Sequence, residues 1–351
     1  MLVCRTPSDA AISTSYMSKN WHNFISQYTI NDLQAADSEA LKQQRILTDL
    51  DNYGLIEASG DDAATFLQNQ LSNDTQLVTE DNTQLNSYCT PKGRMLTVFR
   101  LFQMGDKYYL RMPKSLLEPV MKRLQMYILR SKVALRNTNE ELRSIGVAGP
   151  GISDLLRSVV EVIPEKTDTA CRRDPHYIIR IPGTERFEII TTLESGKTLW
   201  TQLQDELQIS GQDGWPLLDI VGGIPTVYPE TVEHFVPQMA NLHLVNGVSF
   251  KKGCYPGQEV VARMQYRGTL KRRMHLISLA TDTPPIPGSQ VVSVKDGKTH
   301  DAGEIVDARQ INNHTSLGLA VLQINSLDQP LHIGDHTGPP LKLLELPYDF
   351  D

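Results

Sequence analysis

The stretch of this 351-residue sequence richest in usable chemistry is FKKGCYPGQEVVARMQYRG, Phe250 to Gly268. One cysteine, Cys254, follows two lysines inside a Gly-Cys-Tyr-Pro-Gly turn, and a helical pattern opens at Gln258. Nearby lysines and a following helix N-terminus both favour the thiolate, the reactive form of cysteine. Such a thiolate could serve as a nucleophile, a redox sensor or a transient metal ligand. The rival reading is a small residue packed beside a tight turn, since free cysteines are often buried and inert. A nucleophile would want a base beside it. His234 and His243 lie upstream, and the sequence does not fix their distance from the sulfur.

The same stretch is basic in an acidic chain. The formal net charge is -7, yet residues 251–273 carry seven basic side chains and one acidic one, Glu259. Residues 92–136 carry eleven basic and two acidic, against four and twelve in residues 1–91. The two basic blocks could line one anion-binding surface, or each could be a solvated face.

Other chemistries find little support. The four cysteines, Cys4, Cys89, Cys171 and Cys254, are far apart, and the nine histidines are scattered. Neither a disulfide framework nor a metal-ligand set is indicated. No dinucleotide or P-loop fingerprint occurs, and Gly222-Gly223 alone is too weak for a phosphate loop. No apolar run is long enough to span a membrane, and the first twenty residues lack a secretory h-region. The expected location is the cytoplasm.

The elements that must position the cysteine read as α+β. A strand over Tyr53–Ala58 leads to a helix with Asp61 or Asp62 at its start. Met95–Gln103 and Lys107–Met112 form a hairpin about Gly105-Asp106. A helix with apolar positions Leu117, Val120, Leu124 and Ile128 follows, capped by Ser115, and then a strand over Lys132–Leu135. Strand-to-helix order recurs from Arg143 and again from Glu185, which suggests two related α+β units. After His275 only short β runs between turns remain, the texture of a small barrel. Segment NWHNFISQYTI reads as one helix packed on the body, preceded by disorder.

KGCYPGQEVVAR followed by YRGTLKRR closely resembles the cysteine segment of YgfZ-type folate-binding proteins, relatives of the glycine cleavage T protein. CTPKGRMLTVFRLF, LRSKVAL, WPLLDIVGGIP, FVPQMANLHLVNGVSF and the closing LELPY resemble that family too, so the likeness spans about residues 46–350. It implies a three-lobed ring with folate in or near the central channel. The lobes would be 46–145 and 146–274, both α+β, and a C-terminal β-barrel, 275–351, after an N-terminal extension, 1–45. The family motif falls on Lys252, Gly253, Cys254, Tyr255, Gly257, Gln258 and Glu259, with Arg263 just beyond. The folate-associated aromatics fall on Trp215 and Tyr53. By itself Trp215 reads as a core aromatic.

The implied function is a folate-binding accessory factor, a monomer, that takes tetrahydrofolate or a derivative. It would support iron–sulfur enzymes or their assembly factors, including enzymes that modify tRNA. A tetrahydrofolate-dependent one-carbon transferase, of the aminomethyl type, is the alternative if the chain is itself an enzyme. An RNA-binding protein is the third reading, disfavoured because few aromatics interleave the basic residues.

Overall fold

A computed structural model describes residues 20–350 except Asp296, together with all of their side chains but that of Arg267. The expectation for the residues before Asn20 lies outside this range, as does Cys4. Within it the chain forms three sheets, two of them with helices between their strands, a mixed α+β architecture.

The first sheet holds β2 (Tyr53–Ser59), β3 (Gln84–Cys89), β4 (Met95–Met104), β5 (Lys107–Pro113) and β6 (Ala134–Asn137), in the order β3-β4-β5-β2-β6. Two helical segments come first, α1 (residues 20–25) and α2 (Ser38–Lys42); then α3 (Ala63–Gln70) follows β2, and α4 (Lys114–Gln125) follows β5. No side chain caps α4, whose cap residue is Pro113 and not Ser115. Asp62 sits at the N-cap of α3 but spends its carboxylate on the Lys132 amide across the turn.

The second sheet repeats this plan. Strand β7 (Leu142–Ala148), α5 (Ile152–Val160), three strands β8 (Ala170–Arg173), β9 (His176–Ile181) and β10 (Arg186–Thr192), α6 (Leu193–Leu203) and β11 (Gln208–Ser210) follow in the same sequence. The sheet order is β8-β9-β10-β7-β1-β11. It equals that of the first sheet with one insertion, the upstream strand β1 (Ile46–Asp49), antiparallel to β7 and parallel to β11. On one face of this sheet Trp21, from the helical residues 20–25, meets Trp200 of α6 edge-on at 6.1 Å.

The third sheet contains β12 (Arg272–Ala280), β13 (Gln290–Lys295), β14 (Lys298–Asn312), β15 (Thr315–Gln323), β16 (Leu331–Ile333) and β17 (Leu341–Leu344). Its edge strands are β16 and β17, and an isolated bridge between His332 and Pro340 brings those edges together. Edge strands that meet leave fewer unpaired backbone groups.

Helix α7 (Gly214–Val221, GWPLLDIV) is buried along its whole length. A helix with no solvent-facing side belongs in a core, and the one charged residue of α7, Asp219, is buried with the rest. It packs against β1 of the second sheet and β14 and β15 of the third, so its side chains lie where sheets meet.

Candidate functional site

The cysteine loop is stitched to the first sheet's unit by hydrogen bonds. The Ser249 amide donates to the Ser72 carbonyl at 3.1 Å. Asn73 donates to the Asn246 carbonyl at 2.7 Å. Lys252 sends its ammonium inward, to the carbonyls of Gln68 and Leu71, each at 2.5 Å. These lie at the C-terminal end of α3, where helix carbonyls lack partners and a cation suits the dipole. Of the two lysines before Cys254, Lys252 is therefore a helix cap, 7% exposed, and only Lys251 faces outward.

Tyr255 lies beneath this lysine, buried, with the ammonium 5.0 Å from its ring centre. Burial holds the phenol well above its ordinary range. Gly257 starts α8 (Gln258–Arg267) with φ 87. A Cβ there would stand 2.5 Å from the Thr90 carbonyl oxygen and 2.7 Å from the Gly93 Cα. Only glycine allows the Pro91–Gly93 turn to dock so closely, and this contact brings the two basic blocks together. Cys254 stands between these anchors and is exposed, whereas Cys89 is the packed thiol, its pKa pushed up to about 12 by burial. Glu259 and Arg263 are exposed on α8, and Gln258 turns back toward the Lys252 carbonyl at 3.4 Å.

The basic stretch is partly neutralised from within. Arg272 pairs with Asp301 at 2.6 Å, and Arg273 donates to the Phe350 carbonyl at 2.8 Å. Its remaining exposed cations with described side chains are Lys251, Arg263 and Lys271.

Burial brings the Lys252 pKa down to about 8. The unfolded lysine titrates near 10.5, so between these values only the unfolded chain holds the proton. Its contribution to stability therefore rises with pH across that window and is lost as pH falls through 8. The unfolding free energy of wild type relative to Lys252→Met should grow by about 1–3 kcal/mol from pH 7.5 to 10. A difference that stays flat in urea titrations would contradict this placement.

Two cavities adjoin the loop. One, about 560 Å³, runs along α7 and the C-terminal tail and has Lys42 in its wall. The other, about 750 Å³, is bordered by Phe250, Lys251 and Tyr266. They share Leu85, Thr167, Asp168 and Asn246. Phe250 and Tyr266 meet edge-on at 6.2 Å. Cys254 lies outside both walls, three residues beyond Lys251.

Tyr53 and Trp215 come together, but behind this channel. They line a small cavity of about 30 Å³ that shares Leu85 and Ile224 with the first chamber. That is room for water only. Trp215 is 1% exposed, with the Arg186 guanidinium 5.2 Å from its ring centre. The Arg111 guanidinium lies 3.4 Å over the Tyr53 ring. These arginines belong to a buried ionic network that sequence reasoning missed. Arg111 of β5 pairs with Glu188 of β10 at 3.0 Å, and Arg186 of β10 with Asp219 of α7 at 2.8 Å. Arg309 of β14 pairs with Asp213 and Asp307, each at 3.1 Å. Burial lifts Asp307 to about 6. These pairs tie the first sheet to the second, and tie the second and third sheets each to the α7 segment. Among the described residues no cluster of His, Cys, Asp and Glu could hold a metal ion, and no helix is long and apolar enough to cross a membrane.

A family model described as "GCVT N-terminal domain" matches residues 10–213. The structure of glycine cleavage system aminomethyltransferase T from Bartonella henselae superposes with a TM-score of 0.71 over 88% of each chain. At 14% identity that likeness concerns the fold. Model and fold together define a protein of the GCVT-domain class. The "tRNA-modifying protein YgfZ" of Photorhabdus laumondii subsp. laumondii is 31% identical over 309 residues, 87% of this chain and 93% of its own. That of Colwellia psychrerythraea is 30% identical over 91% of this chain and 98% of its own. Within that class the chain belongs to the YgfZ family.

Proposed function

We propose that this chain is a folate-binding accessory factor that supports assembly or repair of iron–sulfur enzymes, including tRNA-modifying ones. The observation that carries the reading is the cysteine loop anchored at the rim of two connected chambers whose walls suit a folate. Apolar side chains and the Phe250–Tyr266 pair match flat rings. Lys42 and Lys251, one per chamber, match a glutamate tail. Asp168 offers a carboxylate where the chambers meet. Folate, when bound, supplies one-carbon chemistry. The chain's own residues enclose and orient it, while the exposed Cys254 meets the client. A single thiol without a ligand set suits transient contact and not cluster storage.

We read the three sheets as lobes of a ring around these chambers, in a cytoplasmic monomer. The first chamber's wall supports this, since it draws on Leu85 of β3, the Pro182–Thr184 turn, α7 and Tyr348 of the tail. Trp215 and Tyr53 would act on the ligand by backing the wall. A tetrahydrofolate-dependent transferase is the second reading, favoured by the aminomethyltransferase fold. Calorimetry with tetrahydrofolate tests the ligand. Saturable binding is expected. No binding by the wild-type chain would overturn the folate reading.

A further inference from the structure

Asp168 is the one carboxylate in the walls of both large cavities among the described residues, and it stands in the part they share. Its backbone is held in the left-handed region, φ 60. Its amide donates to the Arg180 carbonyl at 2.9 Å. Its carbonyl accepts from the Thr83 amide at 2.8 Å and the Thr83 hydroxyl at 3.1 Å. The side chain is held as firmly. Arg100, 4% exposed on β4, donates to Asp168 Oδ1 at 2.6 Å. No described residue donates to Oδ2, and the side chain keeps 32% of its surface exposed. One oxygen is thus clamped by a buried guanidinium, while the other has no described donor and belongs to a carboxylate in the wall the two chambers share.

An oriented carboxylate in a partly enclosed wall is the complement of two parallel N–H donors on one carbon, the pairing that carboxylates make with guanidinium groups. A pterin carries such an edge in its 2-amino group and the adjacent ring N3–H. Resting on the folate reading above, we propose that Asp168 recognises the pterin by accepting from that edge, and so sets which end of the ligand lies at the junction of the chambers. The Arg100 ion pair fixes the orientation of the carboxylate. The left-handed backbone fixes the direction from which it is offered.

The chemistry provides a ligand-side test. The wild-type chain should bind tetrahydrofolate about ten- to a hundredfold more tightly than its 2-desamino-2-methyl analogue, which lacks one donor. Asp168→Asn replaces the outer acceptor while asparagine tolerates the same backbone conformation. It should bind the two ligands within about threefold of each other, with the loss falling on tetrahydrofolate. Equal wild-type affinities for the two ligands would overturn the assignment, even if the variant failed to fold. So would undiminished discrimination in a folded Asp168→Asn. Failure of the wild-type chain to bind any folate would instead remove the reading beneath it.

Discussion

Iodoacetamide at pH 8, under native conditions, is expected to modify Cys254 at least about a hundredfold faster than Cys89. Two observations set the contrast. Cys254 is exposed between the buried Lys252 and the docked Gly257, whereas Cys89 is 1% exposed. Burial also pushes the Cys89 thiol up to about 12, so about one molecule in ten thousand carries its thiolate at pH 8. Site-resolved mass spectrometry of a labelling time course measures both rates at once. Comparable rates, or labelling of Cys254 only in denaturant, would remove the exposed thiol from the account.

The second large effect is on stability. Arg186 is fully buried, donates to the Pro182 carbonyl at 2.9 Å and pairs with Asp219. Its burial lowers its own pKa, a sign that charge is held there at a cost and only because the aspartate faces it. Arg186→Met leaves the Asp219 carboxylate without its main counter-charge and should cost about 3–5 kcal/mol in urea unfolding. Arg186→Met combined with Asp219→Leu should recover much of that loss, because two apolar groups leave no orphaned charge. A single-variant loss below about 1 kcal/mol, or a double variant less stable than either single one, would contradict the network's role.

Much of the fold is legible in the sequence where the signal is local. The strand–helix–three strands–helix–strand order of the first unit follows from the β-branched and aromatic runs VFRLFQ and KYYLRM, the Gly105 turn and the helical spacing of Leu117, Val120 and Leu124. The β texture after His275 is equally local. What the sequence hides is long-range. Strand β1 lies only three residues before β2, yet it inserts into the other sheet, between partners almost a hundred and about 160 residues away. No periodicity encodes that choice.

The site divides in the same way. The cysteine motif announces itself by composition, and the glycine at 257 by its turn. Two adjacent lysines look alike in sequence, and only the end of α3, brought alongside by tertiary structure, sets Lys252 apart. The largely apolar GWPLLDIV favours a buried Trp215, which is where the side chain lies. Asp168, in an unremarkable KTDTA segment, carries no signal of its own. Its part depends on Arg100, 68 residues away.

The central claim is that this chain serves iron–sulfur enzymes through the exposed thiol of its anchored loop. The most direct test is the activity, per molecule of enzyme, of an iron–sulfur tRNA-modifying enzyme in cells from which this gene has been deleted. Plasmids would restore either wild type or Cys254→Ala at matched protein levels. The account predicts that wild type restores activity and that Cys254→Ala leaves it near the deletion level, although the purified variant still melts like wild type and binds tetrahydrofolate. Full restoration by Cys254→Ala, or no loss of activity on deletion, would contradict it.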